Sequence, residues 1–392
     1  MRTTAPQKRA SSAVPPRVVA VDQALAEIAR TARVLPALVA SNAVEERRRL
    51  IDAVTRDAPA VPRWELGRPR QTSAARRSLA QIASVVEPLL PATLRALYLA
   101  RIDELEVDLA ILDALGDPRV RALAARRYGR GDREVLLDEG AARLSNIARG
   151  ILSTIGQTAE ACEVPAEGRG SLAGLLRRTA ASAGLELEVR VEPRLTAGAA
   201  TGDRVVYVAA RHFGRTEARR LAAHEVLGHA VAAANARRHA LRLLEIGTAG
   251  SFADQEGLAI ALEERAGALD GARMRTLAAR VIVTERLHQG ASFADVARGL
   301  VKEHGFEPES AVAIAERAFR GGGVARDASY LWGWLRVSRA LARGETSIDA
   351  LRVGRVSLDD APALAELTKL GWIAPPLHAP TLDALLADDL DE

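Results

Sequence analysis

Cysteine is nearly missing: the 392 residues contain one, Cys162. That excludes an internal disulfide and any zinc site built from several thiolates, so a metal in this chain needs histidine and carboxylate ligands. It also fits a reducing, cytoplasmic compartment. Aromatic residues supply 3% against 48% hydrophobic residues overall. The core must then be built from Ala, Leu and Val, which favours helices, and few side chains remain for stacking on nucleic-acid bases. Lysine is scarce too: Lys8, Lys302 and Lys369 are the only three of 54 basic residues, as in GC-rich bacterial coding sequences. No apolar run approaches the roughly 18 residues of a membrane span, because Arg or Glu recurs in every long apolar stretch. The 54 basic and 50 acidic side chains leave a net charge of +4, so the pI of about 9.6 is a small difference between large totals and weak evidence for nucleic acid. We expect a soluble protein with neither membrane nor nucleic acid as partner.

Residues 1–19 read as a disordered basic tail, since Met1 to Arg17 is rich in Ser, Thr and Pro and lacks the apolar run of a secretory signal. Residues 20–160 read as a helical N-terminal region, with Asn42-Ala-Val-Glu45 as a capping box and Leu94 to Leu115 at helical apolar spacing. A polar linker over 161–170 opens the catalytic region, 161–392. Within it Leu185 to Val191 and Asp203 to Ala209 have strand character and suggest neighbouring strands of a small sheet. Thr216 is suited to cap a helix running to about Arg238. Further helices are expected over 254–268, 272–289, 293–304, 308–319 and 328–343, with Asp254 and Pro308 near two of their starts. The fold class is α+β, mainly helical, with the sheet beside the 216–238 helix.

That helix carries the chemistry. Leu221-Ala-Ala-His224-Glu225-Val-Leu-Gly-His229 places two of seven histidines around a glutamate, a pattern that points to zinc. Histidines four apart on an α-helix differ by about 40° in direction, whereas five apart differ by about 140°. A shared ion therefore demands local widening, such as a π-bulge, which Gly228 would tolerate. A catalytic zinc takes three protein ligands and keeps an open position. Downstream donors are Glu245, Asp254, Glu256 and Glu263; Glu256 in Gln255-Glu-Gly-Leu-Ala259 is the best, at the start of a helix that can face the first across a small glycine. Glu263, two turns later on the same face, can support a histidine ligand from behind. Glu225 is the general base that takes a proton from water attacking a carbonyl and returns it to the leaving amine.

Together, His224-Glu-Val-Leu-Gly-His229, the following Asn235 and Gln255-Glu-Gly-Leu-Ala259 closely resemble the flavohemoglobin expression-modulating QEGLA-motif proteins, relatives of the microtubule-associated tyrosine carboxypeptidases. Phe319-Arg-Gly-Gly322, Arg326-Asp-Ala-Ser-Tyr330 and Gly371-Trp-Ile-Ala-Pro-Pro376 extend the likeness over most of the chain. The resemblance implies a zincin-like metallopeptidase fold, one Zn2+ on His224, His229 and Glu256, Glu225 as catalytic residue, Asn235 in the surroundings of the metal, and the C-terminus of a peptide or protein as substrate. Tubulin, the substrate of eukaryotic relatives, is not carried over. The His-Glu-x-x-Gly-His spacing is also similar to dipeptidyl-peptidase III, which implies an aminopeptidase instead. A non-catalytic zinc-containing regulatory protein is a further alternative, and a nucleic-acid-binding helical protein ranks last.

Arg317, Arg320 and Arg326 surround the Gly321-Gly-Gly323 turn, where a guanidinium can hold a terminal carboxylate. Tyr330 can donate its hydroxyl to the oxyanion of a tetrahedral intermediate. Asp327 is expected to cap the helix that carries Tyr330. Trp332 and Trp334, two apart on that helix, cannot both line one pocket.

Overall fold

The computed structural model describes residues 14–67, 71–138, 140–156 and 163–382. Cys162, most of the expected tail and the first residues of the expected linker lie outside them.

Helices dominate, as the Ala- and Leu-rich composition demands. The first, Pro16–Thr31, starts inside the stretch expected to be disordered, with Pro16 at a position where its missing N–H costs nothing. Ala43–Thr55 follows, but not through a capping box: Asn42 makes no capping bond. Its side-chain amide instead donates to the Arg63 carbonyl at 2.9 Å and accepts from the Glu65 N–H at 3.0 Å, fastening the returning chain. Ser73–Leu89 and Ala92–Asp113 pack side by side, and Leu94, Ile111 and Leu112 of the longer helix are fully buried. A hairpin of Glu134–Leu137 and Gly140–Arg143 leads into Leu144–Thr154.

The small sheet is three-stranded. Glu188–Glu192 runs parallel to Val205–Ala209, as Glu188↔Val205 to Glu192↔Ala209, and Ala199–Thr201 pairs antiparallel on the other side of that central strand. Val206 and Val208 on one face and Val205 and Ala209 on the other are all buried, because both faces of the central strand are covered. Ala199–Thr201 is one of the two edge strands, and among the described residues its outer side pairs with no other strand. The helix after the sheet begins at Arg215 with Gly214 as its N-cap residue, so Thr216 lies within the first turn rather than capping it.

The later helices are Ser251–Arg265, Gly271–His288, Phe293–Lys302, Pro308–Phe319 and Ala328–Ala342. Ser251–Arg265 and Ala328–Ala342 cross at glycine: a Cβ on Gly333 would stand 1.9 Å from the Ala253 carbonyl oxygen, and one on Gly257 2.3 Å from Gly333. Gly257 thus faces Ala328–Ala342, not the His224 helix as the sequence suggested. One continuous apolar cluster takes in Leu25, Leu79 and Leu112 of the N-terminal helices, Val206 of the sheet, and Val226 and Leu258 of the motif helices. Among the described residues no helix is long and apolar enough to cross a membrane.

Candidate metal centre

The helix from Arg215 changes register at Ala223. From there to Ala230 it is π-helical, with the Val231 N–H reaching the Val226 carbonyl, so residues five apart close a turn. This is the widening that the five-residue histidine spacing demands. His224 and His229 come together with ring centroids 4.8 Å apart and planes at 85°, their Nε2 atoms 3.2 Å apart. Val226 and Leu227, on the opposite side, are fully buried and hold the widened turn in the core.

Each residue of Gln255-Glu256-Gly257-Leu258-Ala259 has a separate contact. Gln255 donates to the carbonyls of Leu351 and Val356 at 3.0 and 3.1 Å, pinning a loop to the helix. Glu256 directs Oε2 to within 3.3 Å of His224 Nε2 and 3.6 Å of His229 Nε2. Gly257 admits the Gly333 backbone, Leu258 enters the core, and Ala259 packs on Gly228, where a Cβ would meet the Ala259 Cβ at 3.0 Å. Glu256 lies in the second turn of its helix rather than at its start. Asp254, in place of capping, accepts from Ser357 Oγ, the Leu358 N–H and Arg336 at 2.7–2.9 Å.

The three donors form a triangle with edges of 3.2, 3.3 and 3.6 Å. Two ligands each about 2.05 Å from a tetrahedral zinc would stand about 3.3 Å apart, so the residues present fit such an ion. Glu256 Oε2 is buried without a hydrogen-bond partner, a costly arrangement for a carboxylate unless a cation meets it. The electrostatics agree. Burial opposes charge on His224, but Glu256 and Glu263 outweigh it and push its pKa up to about 9. Burial would raise Glu256, yet the two histidines hold its carboxyl well below the usual range. The pocket therefore favours positive charge between these groups.

Behind the triangle, Glu263 Oε1 lies 2.7 Å from His224 Nδ1. Arg273 grips both Glu263 oxygens at 2.9 and 3.0 Å, holding that carboxyl low despite its burial. The result is a His–carboxylate–guanidinium relay that fixes the imidazole's orientation. Glu225 is held by Thr201 of the edge strand, whose hydroxyl lies 2.7 Å from Glu225 Oε2 and 3.0 Å from the Glu225 carbonyl. The Thr201 and Arg273 contacts have no signal in the sequence: each joins two different secondary-structure elements, and neither residue stands in a motif.

A cleft of about 1350 Å³ opens onto the triangle, its lining including residues 196–203 with the Ala199–Thr201 strand, and Phe252, Arg280, Arg317 and Tyr330. Burial, then the Glu256 charge, raise the Tyr330 pKa, so its phenol stays protonated. Arg317, Arg320 and Arg326 all line this cleft. Asp327 makes no capping bond to its helix; it accepts from Arg317 Nε and Nη2 and is approached by Arg280 and Arg326. Arg320 lies 3.7 Å from Glu316. Asn235 does not surround the metal triangle. Its amide donates to the carbonyls of Arg352 and His378 and accepts from the N–H groups of Leu377 and His378, all at 2.9–3.0 Å, fastening the C-terminal segment. Trp332 stacks under Arg133, whereas Trp334 donates to Glu264, so the two do point apart.

No curated protein and no solved structure matches the chain significantly. A family model described as microtubule-associated tyrosine carboxypeptidase matches residues 52–387, which include both histidine and glutamate motifs, the edge strand and the arginine-lined wall. The chain therefore belongs to the microtubule-associated tyrosine carboxypeptidase family.

Proposed function

We propose that this protein is a zinc-dependent carboxypeptidase, with His224, His229 and Glu256 as metal ligands and Glu225 as general base. The observation that carries the reading is the convergence of three donors on one buried point, with the unpartnered Glu256 Oε2 among them, beside a glutamate at the mouth of a long cleft. A bound zinc would supply Lewis acidity, lowering the pKa of water and polarising a carbonyl. The chain's own residues do the rest. A peptide lies along the open side of Ala199–Thr201, extending the sheet by backbone hydrogen bonds. Thr201 holds one Glu225 oxygen, leaving the other to take a proton from the attacking water and pass it to the leaving amine. Tyr330, kept as a neutral phenol, donates to the oxygen that becomes negative. Fourteen arginines against eight carboxylates line the cleft, so it favours an anionic chain end over a cationic one.

A purely structural metal needs no base, so Glu225 argues for turnover over a non-catalytic role. Metal content by mass spectrometry tests the assignment: we expect near-stoichiometric zinc in wild type and Glu225→Gln and its loss in Glu256→Ala. Only wild type should release a C-terminal residue, tyrosine being the first to try given the family's description. Wild-type protein without zinc even after reconstitution would sink the reading.

A further inference from the structure

Arg280 is a cleft residue whose charge the protein leaves poorly compensated. Gly271–His288 carries Arg273 and Arg280 seven positions apart, hence on one face and about 10 Å apart along the axis. The first is fully engaged by Glu263 behind His224. The second has no side-chain hydrogen bond among the described residues, and its Nε is buried and unpartnered. Its nearest carboxylate oxygen, Asp327 Oδ2, is 3.6 Å away and already bound by Arg317. Arg326 lies 3.8 Å from the other Asp327 oxygen, so three guanidiniums share one carboxylate. Burial, then repulsion from Arg317, lower the Arg280 pKa to about 9, as for a buried cation that lacks a counter-ion. The Arg280 guanidinium stands 5.1 Å from the centre of the Tyr330 ring, and Tyr330 in turn feels the charge of Glu256. The weakly paired cation thus stands one side chain, Tyr330, away from the charge of Glu256.

Resting on the carboxypeptidase reading above, we propose that Arg280 receives the terminal carboxylate of the substrate, while Arg317, held by Asp327, positions the wall around it. In a carboxypeptidase substrate the terminal carboxylate lies one residue, about 3.8 Å along the chain, past the scissile carbonyl. A planar guanidinium without a carboxylate of its own can take that group through two hydrogen bonds. Arg317 is occupied in this sense. Arg320, whose Nε is also buried without a partner, stands 3.7 Å from Glu316, and Arg326 stands 3.8 Å from Asp327, but of the three weakly paired guanidiniums Arg280 is the one beside the Tyr330 ring.

The test is binding without turnover. In zinc-loaded Glu225→Gln protein, fluorescence anisotropy is read with a dansylated pentaalanine extended by a C-terminal tyrosine, and with the same peptide as its C-terminal amide. The free acid is expected to bind about 10- to 100-fold tighter than the amide. Adding Arg280→Gln is expected to erase that preference while leaving the amide's affinity unchanged, and Arg280→Lys to retain a small part of it. Survival of the preference in Arg280→Gln overturns the proposal, as does equal or undetectable binding of the two peptides before that change. If Arg280→Gln fails to fold, Arg280→Lys decides: full retention overturns, loss of most of the preference supports. Absence of hydrolysis by wild type with the acid-over-amide preference intact supports the Arg280 assignment and removes only the peptidase reading.

Discussion

Glu263 shows how much of the proposed metal site lies outside its proposed ligands. Its carboxylate joins His224 Nδ1 to Arg273 and is fully buried, so the imidazole is oriented before any ion arrives. Glu263→Gln keeps the shape and an acceptor but removes the charge; zinc affinity, measured by competition with a chromogenic chelator, should fall about 10- to 100-fold. Thr201 acts on the proposed base, Glu225, instead. Thr201→Val should leave zinc content unchanged and lower kcat with little change in KM, because only the orientation of Glu225 is lost. Glu225→Gln, also metal-replete, should lose about 10²- to 10⁴-fold in kcat. A Thr201→Val protein that loses zinc would show that Thr201 supports the metal helix rather than its base.

At the scale of elements, two close approaches set the site. Gly228 against Ala259 brings the π-helical turn and Ser251–Arg265 together, and Gly257 against Gly333 brings that helix onto the one that carries Tyr330. The second contact leaves no room for a Cβ without backbone movement and the first admits one only if its neighbour yields by a few tenths of an ångström, so the helices that carry the donor triangle and the phenol are spaced by absent side chains. Gly333→Val should destabilise the fold by about 1–3 kcal/mol or more, read as a lowered thermal midpoint of the apoprotein. Gly228→Val should show its larger effect on zinc affinity, since it separates His224 and His229 from Glu256.

For the whole molecule, closure of the C-terminal segment depends on a buried carboxylate. Asp360 accepts from the Ser357 N–H at 2.7 Å and is bonded by Thr248, tying residues far apart in the chain. Burial pushes its pKa up to about 6 from an ordinary 3.8, against those hydrogen bonds. With the folded value above the unfolded one, the folded state binds the extra proton. Stability from this group is fully present below about pH 4 and is lost as pH rises through about 6. Two units correspond to about 3 kcal/mol at most. Asp360→Asn should therefore be no less stable than wild type at pH 8 and less favoured relative to it at pH 4.5, in denaturant titrations at the two values. A difference independent of pH would show that Asp360 does not titrate in this range.

The helical character, the strand pair and the three side chains that meet in the donor triangle were legible in local sequence. A five-residue histidine spacing carries its own demand for a widened helix, and Pro308 or alternating Val residues act on their immediate neighbours. Other assignments needed the tertiary structure because they rest on partners distant in the chain. Asn42, Thr216, Asp254 and Asp327 have the chemistry of caps, yet Asn42, Asp254 and Asp327 hold residues 63–65, 357–358 and Arg317, whose nearness no local pattern encodes. Asn235 sits one short helix from the histidines but grips the far C-terminal segment. Among some fifty arginines, sequence cannot say which meets a carboxylate; packing gives one to Arg273 and to Arg317, and leaves Arg280, like Arg320, with an unpartnered Nε. Residue type and spacing decided what chemistry the chain can perform, while long-range packing decided which of many equivalent charges remain free to perform it.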